Sequence, residues 1–133
     1  MKLKAIVLAL LVTSPAAFGV TLECDAFVIK TVNDEFKDMI EQTKGTIENT
    51  PKEFSYHILN YGNGRSGKLT MLEGKDIREY SVRETIYYKK SFMRETNIET
   101  GVPEFTIFKT ENVRGEKSDE GQAYVFTNCE LNN

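Results

Sequence analysis

Residues 21–30 alternate in character: Leu22, Cys24, Ala26 and Val28 share one face, Glu23, Asp25, Phe27 and Ile29 the other. A two-residue period rich in β-branched and aromatic side chains predicts a strand. The next stretch changes period. Val32, Phe36, Met39 and Ile40 recur at i, i+4, i+7 and i+8, which is one stripe of a helix. Asn33 suits an N-cap, Asp34 and Glu35 the positive helix end, Lys44 the negative end, and Gly45 a stop. The pattern predicts one amphipathic helix over residues 34–44.

Beyond Pro51 the two-residue period returns, with strands expected at 54–61, 68–73, 77–94, 104–110 and 122–131. Turn chemistry separates them at Gly62-Asn63-Gly64, Gly74-Lys75-Asp76, Gly101-Val102-Pro103 and the polar stretch from Asn112 to Gly121. The 77–94 run exceeds an average strand, so it holds two strands or one long bent one. The fold class expected is mainly β (α+β): a curved antiparallel sheet or small β-barrel of about six to seven strands, with one amphipathic helix near the N-terminus.

Two cysteines, Cys24 and Cys129, lie in the first and last predicted strands. An even pair in an exported chain reads as a disulfide, which requires those strands to be neighbours. By strict alternation Cys129 shares a face with Ala123, Val125, Thr127 and Leu131, making the small-residue faces the inward ones. Phe27, Ile29, Tyr124 and Phe126 then point the other way, and the helix is expected to cover them.

Export itself is read from the amino terminus. Lys2 and Lys4 precede an apolar run from Ala5 to Val12, Pro15 breaks it, and Ala17 and Gly19 supply small residues for cleavage. Residues 1–19 are expected to be a cleaved secretory signal peptide, and residues 20–133 a single globular β-rich domain, periplasmic or secreted. So short a run spans about 12 Å as a helix, against about 30 Å of hydrocarbon, so no membrane anchor is expected. Without Lys2 and Lys4, 15 basic residues face 20 acidic ones, a formal charge of −5. That balance disfavours nucleic acid and suits a cationic protein partner.

Little chemistry is legible. Gly62-Asn63-Gly64-Arg65-Ser66-Gly67-Lys68 satisfies most of a phosphate-loop pattern, but Leu69 stands where a Ser or Thr must bind magnesium, and a strand pattern follows instead of a helix. A flexible glycine-rich hairpin loop is the better reading. His57, the one histidine, has no nucleophile marked for it and reads as a half-buried structural residue. Asp34, Glu35, Asp38 and Glu41 lack calcium-loop spacing and read as a solvated helix face. No catalytic residue, metal site or cofactor is expected.

The function expected is a small non-enzymatic binding protein of the bacterial envelope, a protein-binding module of the inhibitory or immunity type. A barrel carrying a small apolar ligand is the alternative, and a small carboxylate-based hydrolase the third. Recognition is expected on loops: Arg65, Ser66 and Lys68 in the glycine-rich loop, and Glu116, Asp119 and Glu120 in the acidic one. The aromatic and cationic strip at Tyr87-Tyr88-Lys89-Lys90, represented by Tyr87 and Lys89, is a third candidate surface.

Overall fold

A computed structural model describes residues 19–72, 77–113 and 116–132. The signal peptide expected over residues 1–19 lies, but for Gly19, outside the described residues, as does the turn expected at Gly74-Lys75-Asp76. Nine strands follow one another among the described residues: β1 (Val20–Val32), β2 (Glu35–Asn49), β3 (Phe54–Ile58), β4 (Gly62–Arg65), β5 (Thr70–Leu72), β6 (Ile77–Glu84), β7 (Tyr88–Thr96), β8 (Pro103–Val113) and β9 (Glu116–Leu131). They form a single antiparallel sheet in the order β4-β3-β2-β1-β9-β8-β7-β6-β5. The 77–94 run is thus two strands, and the polar stretch at 112–121 is largely strand.

No helix occurs among the described residues; Asp34 is in a turn and residues 35–44 are the start of β2. Two local devices explain the misleading period. Asn33 and Asp34 both have positive φ, 53° and 63°, the conformation of a two-residue hairpin turn whose twist matches its strands. What looks like an N-cap is therefore a hairpin tip, with Val32 facing Glu35 across it. The ladder between β1 and β2 then slips twice, leaving Lys37 and Ile40 without partners as β-bulges. Each bulge adds one residue, so Phe36 and Met39 sit three apart and imitate a helical stripe.

The sheet is strongly curled. Rings from β3 reach strands three to five places away in the sheet order: Phe54 packs on Phe105 at 4.7 Å and on Phe92 at 6.1 Å, and Tyr56 on Tyr124 at 5.7 Å. Leu22, Ala26, Val28, Ile47, Ile58, Ile107 and Phe126 complete this buried interior. The ladder is not closed. Its two edges, β4 and β5, are successive pieces of one stretch running in the same sense; the first half pairs with β3 and the second with β6. Residues 66–69 make the switch. Ser66 N–H donates to Phe54 O, Leu69 N–H to Lys52 O, and Ser81 Oγ to Ser66 O at 2.7 Å.

Cys24 and Cys129 form a disulfide between the paired strands β1 and β9, with α-carbons 4.1 Å apart. Strict alternation fails near it. Between Glu23 and Asp25 the register slips, and Asn128 takes a φ of 51°. This bulge inverts the faces of β9, so Cys129 joins Tyr124 and Phe126 on the inner side. Tyr124 and Phe126 are core residues, while Val125 and Thr127 face outward.

Candidate functional site

The central strands β1, β8 and β9 read as apolar runs on both faces: Ala26–Ile29, Phe105–Phe108 and Ala123–Phe126. One face of each run fills the interior. The other builds two rows on the convex surface. Tyr80, Met93, Thr106, Val125 and Phe27 are direct cross-strand partners from β6 to β1. Beside them run Val82, Ser91, Phe108, Ala123, Ile29 and Met39, from β6 to β2. Phe36 lies over the second row, its ring stacked on Phe108 at 5.6 Å.

The belt is exposed towards its ends, where Val82 is 51% accessible, Met39 59% and Phe36 53%; Phe27, Ile29, Phe108 and Val125 between them are half-buried and Ala123 is covered. Only part of the cover expected of a helix is supplied, by Phe36 folding back from the hairpin. A monomer seldom leaves so continuous an apolar surface to water unless it serves contact. The sequence carries this signal as strands apolar on both faces, which the apparent helical period over residues 34–44 masks.

Polar contacts border the belt. Lys44 Nζ donates to Asp25 Oδ1 at 2.6 Å and Asn128 Nδ2 to Asp25 Oδ2 at 2.9 Å, holding the Asp25 carboxyl below the usual carboxylate range. The same pairing raises the Lys44 ammonium. On the inner face instead, where Glu41 pairs with Val28, the Tyr61 hydroxyl of the β3–β4 turn donates to Glu41 Oε1 at 2.6 Å, which raises the Tyr61 phenol.

The residues singled out on loops are dispersed. Arg65 ends β4, 3.7 Å from Glu53 and largely exposed. Ser66 is buried, its hydroxyl accepting from Phe54 N–H and donating to Gly67 O, so it serves the strand switch. Lys68 is exposed next to it. The glycine-rich segment is thus an edge strand and a crossover rather than a projecting loop. Glu116, Asp119 and Glu120 are exposed along β9 at the opposite end, where Asp119 O accepts from Asn33 N–H. Tyr87 is exposed in the β6–β7 turn, pinned by Asn112 N–H donating to its carbonyl. Lys89 and Asp119 line one small cleft of about 190 Å³, together with Asn33.

His57 is exposed, facing Thr46 and Asn63 in the ladder, and not half-buried as its alternation suggests. Among the described residues no three metal-ligating side chains converge. Two larger hollows mark the ends of the curl: one of about 460 Å³ that includes Lys30, Lys109 and Gln122, and an open groove of about 550 Å³ beside Val20, Leu22, Ile77 and Pro103. No protein-family model, curated protein or solved structure matches this chain.

Proposed function

We propose that this is a small exported, non-enzymatic binding module of the inhibitory or immunity type, whose partner is another protein held on the convex belt. The observation that carries the reading is the pair of largely apolar rows from Tyr80 and Val82 to Phe27 and Met39, exposed at Tyr80, Val82, Met93 and Met39 and half-buried over most of the stretch between. Protein contact surfaces combine such an apolar centre with a charged rim. Here Asp25 with Lys44 and Lys89 beside Asp119 provide charge near the rows. The net acidity favours a cationic partner, and Glu116, Asp119 and Glu120 would steer it on approach. The Cys24–Cys129 disulfide is compatible with an oxidising compartment, the periplasm or the exterior.

Affinity capture from envelope extract with the mature protein tests this reading. The partner should be retained by the parent and by an Arg65→Ala, Lys68→Ala double variant, but lost from Val82→Lys and Met93→Lys. Retention by the two belt variants would sink the proposal. If the parent sediments as a dimer and Val82→Lys as a monomer, the belt serves self-association instead.

The apolar-ligand reading has one observation in its favour, the open groove beside Val20, Leu22, Ile77 and Pro103. The interior proper is filled by Phe54, Phe92, Phe105, Tyr124 and Phe126, each at most 1% accessible.

A further inference from the structure

The concave surface carries a feature that the belt does not use. One step beyond the core row of Phe92, Ile107 and Tyr124, the ladder places Arg83 opposite Lys90 and Lys90 opposite Lys109. Lys109 then faces Gln122, and Gln122 faces Lys30. Four of five adjacent strands therefore present a cation in one row, in a chain whose net charge is negative. Neighbouring strands lie about 4.8 Å apart, so three of these charges fall within about 10 Å. Like charges set directly opposite destabilise a sheet.

The row is only partly neutralised. Lys109 is 3.3 Å from Glu111, and Lys30 faces Asp38 in the ladder. Lys90, between Arg83 and Lys109, meets phenols: its Nζ donates to Tyr56 Oη at 3.3 Å and lies 5.6 and 5.8 Å from the Tyr56 and Tyr88 rings. Its partial burial, with Lys109 and Arg83 nearby, lowers the ammonium below its ordinary value. The hollow of about 460 Å³ opens beside Lys109, Gln122 and Lys30, and Glu111 and Glu120 also line it.

We infer that Arg83, Lys90 and Lys109 form a binding site for a small ligand bearing adjacent oxyanion groups of the phosphate class. Such a ligand supplies the countercharge that the row lacks. Arg83 provides the planar fork at one end of the row, and the two lysines provide point charges next to it on β7 and β8. The phenols of Tyr56 and Tyr88 hold Lys90 in place and flank the bound group. This site lies on the opposite surface of the sheet from the belt, so either can fail without the other.

Calorimetric titration of the disulfide-intact protein with inorganic pyrophosphate at low ionic strength tests the inference. Saturable binding is expected, weakened at least ten-fold by Lys90→Met and several-fold by the exposed Arg83→Gln, and unchanged by Lys52→Gln at the far end. Tyrosine fluorescence, readable because the chain has no tryptophan, should change on binding in the parent and in Lys52→Gln. No saturable binding, or equal binding by the parent, Lys90→Met and Arg83→Gln, overturns the site. Cosedimentation with phosphatidic acid vesicles, set against phosphatidylcholine vesicles, then assigns the phosphate to a lipid headgroup; pyrophosphate binding without it assigns a soluble ligand.

Discussion

Arg94 grips both carboxylate oxygens of Glu79, Nε at 2.9 Å and Nη2 at 2.8 Å, and then reaches across the curl. Its Nη1 donates to Asn49 Oδ1 and Thr50 O, and Nη2 to Pro51 O. A side chain of β7 thereby ties β6 to the β2–β3 turn, which are far apart in the sheet order. The guanidinium is buried and its donors are used.

Arg94→Ala should destabilise the fold by about 3 kcal/mol, because the half-buried Glu79 carboxylate would lose its countercharge and the Asn49, Thr50 and Pro51 oxygens their donor. Arg94→Lys should recover little, since an ammonium cannot reproduce the planar fork. Urea denaturation of the three proteins checks this. A loss below about 1 kcal/mol in Arg94→Ala would mean that the curl holds without the clasp.

The Asp25 group makes stability pH-dependent in a defined sense. Its folded pKa is depressed below 3.8 by Lys44 and Asn128. Its contribution is therefore complete above that ordinary value and lost as pH falls through the lower folded one. Asp25→Asn should therefore lower stability slightly at neutral pH and leave it nearly unchanged at low pH, which flattens the acid limb of the stability curve. Carboxyl resonances followed by NMR from pH 6 to pH 1 supply the check, and an Asp25 midpoint at or above 3.8 would contradict the pairing.

Gly45 is a close-approach position. A β-carbon there would stand 2.6 Å from Phe126 Cε2, 3.1 Å from His57 O and 3.3 Å from Ala26 Cβ. The Phe126 ring is wholly buried and has nowhere to turn. Gly45→Ala should cost about 1–3 kcal/mol by overpacking, measured as a lowered melting temperature.

At the hairpin tip the opposite change should help. Asp34 holds a left-handed conformation that costs an L-residue roughly 1–2 kcal/mol, less for Asp. Asp34→Gly would create Asn33-Gly, the preferred pair for this turn. A gain of up to about 1 kcal/mol is expected in denaturant unfolding. A loss would show that the Asp34 side chain does more than occupy the turn.

The sequence made the strands of the second half legible, along with the disulfide and the inner face of β1, because Leu22, Cys24, Ala26 and Val28 alternate without interruption. It misled wherever a residue was inserted into the period. Lys37 and Ile40 turned a strand into an apparent helix, and the bulge at Asn128 reversed the faces of β9. Bulges are set by pairing between strands, which a single chain read in order does not display. The belt was half legible, since Phe27 and Ile29 were seen to need a cover. The cation row was not, because Arg83, Lys90 and Lys109 acquire their relation only through register.

The strand switch at 66–69 divides the chain's order from the sheet's order. Strands β1 to β4 form one series of neighbouring hairpins, and β5 to β9 another. The join between them, β1 with β9, sits in the middle of the sheet and links positions such as Cys24 and Cys129, 105 residues apart. Hairpins form within microseconds, whereas so distant a pairing must first bear the entropy of closing a long loop. In a chain emerging from its N-terminus, β1 therefore waits with one edge unpaired until β9 arrives. During that interval the apolar run Ala26–Ile29 is an open template for other strands. Assembly, more than the finished fold, is where this molecule is vulnerable, and oxidation of the cysteines ends that exposure by locking the last join.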